Sequence, residues 1–399
     1  MSGKVVLAYS GGLDTSISIK WIKEKYDMDV IAVLVDCGQP ENLKEIYSKA
    51  LKIGAIKSVI VDAKDEFVKD FIIPSIKANL KYEKKYPLAT ALARPLIVKK
   101  LVEIARREGV NAIAHGSTAK GNDQVRFDVG IRSLAPGLKI IAPQREWIIS
   151  REEALEYAKK YNIEVSVTKD KPYSIDENLW GRSIECGILE DPWNEPPDDI
   201  YKWTKITKKE SKNEYIEIGF ENGIPVSLNN KNISLAEIIK YLNETAGSYG
   251  IGRIDMIENR LIGIKSREIY ESPASEILIE SHMQLESLIL DRELVHYKYG
   301  LEEKFAELVY YGLWFTPLRS CICEFMDRSQ DFVTGTVRVK FENKHFEIVG
   351  RKSDYSLYDM DLATYDKCDK FDPSYSESFI KLWGYTYEIL AKKGRINGK

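Results

Sequence analysis

Seven consecutive residues, Ser10-Gly11-Gly12-Leu13-Asp14-Thr15-Ser16, constrain this chain more than any other stretch. They follow a short apolar run, Val5-Val6-Leu7-Ala8, that reads as a buried strand, and they precede Ile17, Trp21 and Ile22 at helical spacing. Adjacent glycines can take positive φ and bring the backbone close to a ligand. The freed amide N–H groups and the hydroxyls of Ser10, Thr15 and Ser16 then surround a concavity at a helix N-terminus. Unpaired donors and the positive end of the helix dipole favour an anion there, so the stretch reads as a phosphate cradle. The plainer alternative is a glycine-rich turn in which Asp14 and Ser16 are caps.

A Walker-type loop would need a lysine directly after its last glycine to reach the outer phosphates. None follows here, and Asp14 sits in the turn instead. Hydroxyls without a cation suit pyrophosphate held together with a metal ion. The string resembles the S-G-G-x-D-[ST]-S signature of the ATP pyrophosphatases, which split ATP into AMP and pyrophosphate.

The surroundings fit an α/β nucleotide-binding domain. Short β-branched runs at 5–8, 30–35, 58–61, 111–114 and 140–142 alternate with helical stretches, notably 92–107 and one opening at Ser150, where Ser150 and Glu153 form a capping box. Such alternation predicts a doubly wound parallel sheet, with ligands at the carboxyl ends of its strands. Those ends carry Ser10, Asp36, Asp62, His115-Gly116 and Pro143.

From about residue 170 the texture changes. The stretches 169–178 and 191–199 read as connectors. A hairpin is expected over 215–228, turning at Asn222-Gly223, then a helix over 235–242. A long helix is expected from a Ser272 cap and Pro273 to about Lys298, followed by a strand pair at 333–341 and 345–351. The second domain is therefore α+β with an antiparallel sheet. Phe379, Leu382, Trp383, Tyr387 and Leu390 form one stripe of a C-terminal helix, which packs either on its own domain or on another subunit. The expected domains are 1–168, nucleotide-binding; 169–375, synthetase and multimerisation; and 376–399, the C-terminal helix.

The bulk numbers narrow the partners. With 399 residues and 44% hydrophobic content, two domains can each bury a core. A net charge of −3, from 58 basic and 61 acidic residues, argues against an extended nucleic-acid surface. Five cysteines without a C-x-x-C pair read as incidental thiols of a reduced cytoplasmic protein. There is no signal stretch, and no apolar run approaches membrane-spanning length.

A second block decides among the pyrophosphatases. His115-Gly116-Ser117-Thr118-Ala119-Lys120-Gly121-Asn122-Asp123-Gln124-Val125-Arg126-Phe127 follows the fourth strand. Asn122 or Asp123 can cap a new helix, and Asn122 and Arg126 then share one face. An amide and a guanidinium there suit a substrate bearing a carboxylate and a urea-like group. Three further strings join it: Tyr86-Pro87-Leu88-Ala89-Thr90-Ala91-Leu92-Ala93-Arg94-Pro95; Tyr173-Ser174-Ile175-Asp176-Glu177-Asn178-Leu179; and Gly252-Arg253-Ile254-Asp255-Met256-Ile257-Glu258-Asn259-Arg260, continuing to Lys265-Ser266-Arg267-Glu268-Ile269-Tyr270-Glu271. With these, the chain is similar to the argininosuccinate synthase family over nearly its whole length.

The resemblance implies an ATP-dependent ligase that joins citrulline and aspartate through a citrullyl-adenylate, releasing AMP and pyrophosphate, with Mg²⁺ held mainly through the ATP phosphates. It also implies a cytoplasmic homotetramer with no nucleic-acid or membrane partner. By position, Ala8, Tyr9, Ser10, Gly11, Gly12, Leu13, Asp14, Thr15, Ser16, Val35 and Gly116 would hold ATP, with Asp14 serving the chemistry. Citrulline would contact Tyr86, Thr90, Asn122, Arg126, Ser174, Ser183, Glu258 and Tyr270; aspartate would contact Thr118, Asn122 and Asp123. The chain departs from the family at Val35, where alanine is frequent, at Thr90-Ala91, where Thr-Ser is common, and at Trp180-Gly181-Arg182, which are bulkier. The alternative is another ATP pyrophosphatase, such as a tRNA-modifying enzyme, which would need catalytic cysteines or a basic RNA face. Cys37, at a strand end, is expected to be inert.

Overall fold

The computed structural model describes residues 3–118, 121–164, 173–207, 214–364 and 370–396. Residues up to Tyr355 form one compact unit, and Ser356–Lys399 a second. The boundary expected at 168/169 lies outside the described residues.

Strands β1 (Gly3–Ala8), β2 (Met28–Asp36), β3 (Lys57–Asp62), β4 (Ala112–Ala114) and β5 (Lys139–Ile141) form a wholly parallel sheet in the order β3-β2-β1-β4-β5. Alternate residues feed two separate apolar layers. Val6, Ile31, Val33 and Val35 pack with Leu92, Leu96 and Leu101 of the helix Ala89–Glu108. Val5, Leu7, Val30, Ala32 and Leu34 pack with Ile17 and Ile22 of the helix Leu13–Tyr26 and with Ala50 and Ile53 of the helix Leu43–Ile53. Burial of both faces is why these strands read as continuous apolar runs. The chain winds outward from β1 to β3, then returns to β4 on the other side, so the sheet's switch point lies between β1 and β4.

Two antiparallel sheets complete the first unit. Strands β6 (Ser174–Asn178), β7 (Gly181–Glu185), β8 (Glu214–Glu221), β9 (Ile224–Leu228), β10 (Lys231–Asn232), β11 (Arg253–Asn259), β12 (Lys265–Glu271), β13 (Gly335–Glu342) and β14 (His345–Lys352) assort as β11-β12-β7-β6 and β10-β9-β8-β13-β14. The hairpin at Asn222-Gly223 and the pairing of β13 with β14 match expectation. The connector expected at 169–178 instead contains β6, while 169–172 lie outside the described residues. Trp180, fully buried, pins the β6–β7 turn to the first sheet's flank: its Nε1 donates to Pro87 O at 3.0 Å.

The expected single helix after Ser272 is two: Pro273–Ile289 and Arg292–Tyr310. Asp291 starts the second, its Oδ1 accepting from Glu293 N and Leu294 N at 3.0 and 3.1 Å. Ser272 makes no side-chain cap; its hydroxyl is buried between the strands and helix. The break folds the second helix back, so that buried Lys298 meets Glu286 at 3.1 Å and Glu302 at 2.5 Å.

In the second unit, the helix Ser374–Lys392 buries none of its residues. Leu382 and Trp383 are 68% and 67% exposed, and Phe379 stacks on Trp383 at 5.8 Å. No described helix is long and apolar enough to cross a membrane.

Lys298→Met would leave two buried carboxylates without their cation, a change that costs about 3–5 kcal/mol when a buried pair is broken. The urea midpoint of the variant is expected to fall accordingly; an unchanged midpoint would show the ion cluster to be dispensable.

Candidate active site

The loops leaving β1 and β4 meet at the switch point. Gly116 approaches so closely that a Cβ on it would lie 2.7 Å from Thr15 Cγ2. Of the paired glycines only Gly11 takes positive φ, at +79°, with Ile46 filling the place of a side chain. Gly12 has an ordinary extended conformation (φ −68°, ψ 172°) and is the helix N-cap. No side chain caps this helix, so neither Asp14 nor Ser16 plays the capping role of the plainer reading. Ser16 Oγ instead lies 3.3 Å from Gly11 O and 3.2 Å from Tyr9 Oη, and Ser10 Oγ lies 3.2 Å from Thr15 Oγ1. A lysine does reach the turn, from the next helix: Lys49 Nζ donates to Gly11 O at 2.7 Å, bracing the loop from behind.

In front of the loop lies a cavity of about 430 Å³, within the range of small-molecule sites. It is lined by every expected site residue except Gly11, Gly12, Leu13 and Ser16. Leu13 and Ser16 are buried in the helix's packing face. Asp14 lines the cavity; burial pushes its carboxyl pKa up, while the Arg151 charge and a Gln144 hydrogen bond pull it back. Val35 and Thr118 lie on the same lining. His115, wholly buried, accepts at Nδ1 from Ser117 N (3.3 Å) and so presents Nε2 to Asp128 at 2.9 Å.

The helix Asn122–Leu134 is capped by Gly121, not by Asn122 or Asp123, because both side chains turn inward. Asn122 Nδ2 donates to Tyr310 Oη at 2.8 Å, and its Oδ1 accepts from Leu261 N at 3.0 Å. Arg126 Nε donates to Tyr310 O at 3.0 Å and Nη1 to Asp123 Oδ1 at 2.8 Å. Its third nitrogen, Nη2, is buried without a partner among the described residues. Burial alone would raise the Asp123 carboxyl, but the guanidinium groups of Arg94 and Arg126 outweigh it and hold its pKa at about 2. Arg94 donates from Nε to Asp123 Oδ2 at 2.9 Å and also pairs with Asp176.

The opposite wall comes from the β11-β12-β7-β6 sheet. Its register sets Ser183 beside both Asp176 and Tyr270. Tyr270 Oη donates to Glu258 Oε2 at 2.8 Å, and Tyr310 Oη to Glu258 Oε1 at 2.7 Å. Tyr86 stacks on Tyr270, with ring centroids 4.0 Å apart, and its hydroxyl accepts from Thr90 N at 3.0 Å. Behind Glu258, Arg260 Nη2 bridges Glu185 at 2.5 Å and Glu268 at 2.8 Å. Burial and the neighbouring carboxyls of Glu185 and Glu258 push Glu268 well above the usual carboxylate range.

Arg94, Asp176 and Tyr310 are contributors that the sequence reading did not assign. Arg94 could have been found: with Thr90, Ala93 and Ile97 it makes one helical face, and that face lines the cavity. Ala91 points away into the core, so Thr90 is the hydroxyl on this face.

The comparisons agree along the chain. Residues 4–164 match the family model described as Arginosuccinate synthase N-terminal HUP domain, and residues 173–390 match Arginosuccinate synthase C-terminal domain. The chain belongs to the argininosuccinate synthase family. Among relatives named argininosuccinate synthase, the Dictyoglomus thermophilum protein is 59% identical over 394 residues, covering 99% of each chain. That of Dehalococcoides mccartyi is 54% identical over 393 residues (98% of this chain, 97% of the relative), and that of Oceanobacillus iheyensis is 53% identical over 398 (99% and 95%). At Trp180, where the sequence reading expects a departure from the family pattern, the bulk is absorbed in the core and Ser183 lines the cavity.

An unfolded aspartate titrates near pH ~4, whereas Asp123 in the fold does so at about 2. Its pairing therefore contributes fully above pH ~4 and is lost as pH falls toward ~2. In a profile of urea midpoint against pH, Asp123→Asn is expected to flatten this part of the acid limb; an unaltered slope would contradict the pairing.

Proposed function

We propose that this chain joins citrulline to aspartate at the expense of ATP, forming argininosuccinate with AMP and pyrophosphate, and that the cavity between the β1 loop and the β11-β12-β7-β6 sheet is where it does so. The observation that carries the placement is Arg126: a buried guanidinium on the cavity lining, fixed through two nitrogens, its third without a partner among the described residues, in a cavity that Glu258 also lines. A free amino acid, carboxylate at one end and ammonium at the other, fits that polarity.

In this reading the uncapped helix start and the hydroxyls of Ser10 and Thr15 hold the β- and γ-phosphates of ATP, with Val35 and Gly116 against the adenosine. Arg126 takes the citrulline carboxylate and Glu258 its ammonium. Tyr86, Thr90, Ser174, Ser183 and Tyr270 bound the remainder, and Thr118, Asn122 and Asp123 receive aspartate. A ureido carbon is a poor electrophile. Its oxygen attacks the α-phosphorus, the bond to the bridging oxygen breaks, and pyrophosphate leaves. The amine of aspartate then attacks the activated carbon, loses its proton, and AMP departs with the former ureido oxygen. Pre-set donors around the departing charge lower both barriers.

Mg²⁺ fits the loop's donors, which are all oxygens: the Asp14 carboxylate and the Ser10 and Thr15 hydroxyls. It would neutralise charge on the phosphates. A tRNA-thiolating role has no support from Cys37, whose thiol is pushed up to about 12 by burial. We further propose that the protein works in the cytoplasm as a homotetramer, with the apolar face of the helix Ser374–Lys392 docked on another copy.

With ATP, citrulline and aspartate supplied, pyrophosphate and AMP are expected in equal amounts, and release is expected to stop when citrulline is withheld. ADP as product would refute the reading. Removing residues 374–399 is expected to lower the solution mass by at least one step of assembly, as read by light scattering; an unchanged mass would place the helix's apolar face elsewhere.

A further inference from the structure

Tyr310, the last residue of the helix Arg292–Tyr310, belongs to none of the strings that mark the site, and it stands behind the cavity wall rather than on it. Three residues of that wall nevertheless meet on it. Its hydroxyl accepts from Asn122 Nδ2 at 2.8 Å and donates to Glu258 Oε1 at 2.7 Å. Its carbonyl oxygen accepts from Arg126 Nε at 3.0 Å, and the Arg126 guanidinium lies over its ring, 4.9 Å from the centroid. Tyr82 stacks on the other side, with centroids 3.6 Å apart, and is itself tied to Asn259 O at 2.8 Å. Gly312, at φ +75°, carries the chain under Arg126, where a Cβ would come within 2.8 Å of Arg126 Cα.

We propose that Tyr310 is a positioning residue that sets the aspartate-side amide of Asn122 and the citrulline-side carboxylate of Glu258 against each other through one hydroxyl. This rests on the reading of the cavity as the citrulline and aspartate site. Hydrogen-bond bookkeeping supports it. A phenol has one proton, and here it goes to Glu258, so Asn122 must present its NH₂ to Tyr310 and its oxygen to Leu261 N. The amide orientation is thereby fixed, with its second N–H and second lone pair left for ligand. Glu258 holds one phenol donor on each oxygen, from Tyr310 and Tyr270, which keeps its plane fixed. Residues from the N-terminal and C-terminal family regions thus meet on one hydroxyl, which accepts from Asn122 and donates to Glu258.

Charge on Glu258 also depends on this arrangement. Burial raises its carboxyl, while the two phenols and the cations Arg126 and Arg260 lower it. Glu268, Tyr82 and Tyr86 are the other ionisable groups near it, and each of their charges would raise it. Removing the Tyr310 hydroxyl takes away a lowering contribution, so Glu258 becomes harder to ionise and the ammonium site is lost at a higher pH.

Tyr310→Phe keeps the ring, its stacking and the backbone carbonyl. The expected result is a rise of about tenfold in KM for citrulline, the scale for losing a hydrogen bond to a charged group, and a rise in KM for aspartate, with KM for ATP unchanged. The acid limb of kcat/KM for citrulline should move to higher pH. Unchanged citrulline and aspartate constants with an unmoved acid limb would overturn the proposal, as would a proportional loss for all three substrates with a lowered melting temperature. In the Glu258→Gln background, Tyr310→Phe should weaken citrulline binding, read by calorimetry, less than it does alone; full additivity overturns it too. Failure of wild-type protein to release pyrophosphate with citrulline would refute the site reading itself, independently of Tyr310.

Discussion

Asp123, held between two guanidinium groups, is the interaction on which the site's geometry depends. Asp176, Arg94, Asp123 and Arg126 form a continuous chain of ion pairs from β6, across the helix Ala89–Glu108, to the helix Asn122–Leu134. Burying such charges singly would be prohibitive; in a chain each satisfies its neighbour. Two carboxylates balance two guanidinium groups, so this chain of pairs is near neutrality while Nη2 of Arg126 has no partner among the described residues. The opposite wall differs: Glu185, Glu258 and Glu268 surround the single guanidinium of Arg260. The cavity is therefore polar from end to end, and a zwitterion has one orientation that suits it.

The part of this arrangement visible in the sequence is the part governed by local rules. Strand, turn and helix around residues 10–16 follow from burial and glycine chemistry, and the five parallel strands follow from their apolar runs. Even there the backbone assigns the glycines unequally. Gly11 needs its left-handed conformation because Ile46 occupies the side-chain position, whereas Gly12 needs only to leave the helix start uncovered.

Long-range polar packing leaves no such signature. Strand β6 reads Ser-Ile-Asp-Glu-Asn, more like a connector than a strand, because its partners are a cavity and a buried arginine rather than an apolar layer. The break at Asp291 was hidden for a related reason. Apolar spacing continues across Leu290, and only the cap geometry of Asp291 distinguishes two helices from one. Tyr310 is still less legible. An isolated aromatic at a helix end is ordinary, and its importance comes from meeting Asn122, 188 positions away, and Glu258, 52 positions away.

The same reasoning bears on why the site is built before any ligand arrives. A buried guanidinium N–H without a partner costs about 1–3 kcal/mol, and burial likewise disfavours the charged form of a carboxyl. Arg126 and Glu258 both carry such costs, and both are fixed in place by neighbours that have no freedom to relieve them: Asp123 and Tyr310 on one, Tyr270 and Tyr310 on the other. A ligand that supplies a carboxylate and an ammonium at the right separation relieves both at once, without further ordering of side chains. Rigidity therefore turns local instability into affinity. Outside the site, Lys298, Glu286 and Glu302 pair with one another and hold the helices behind Tyr310.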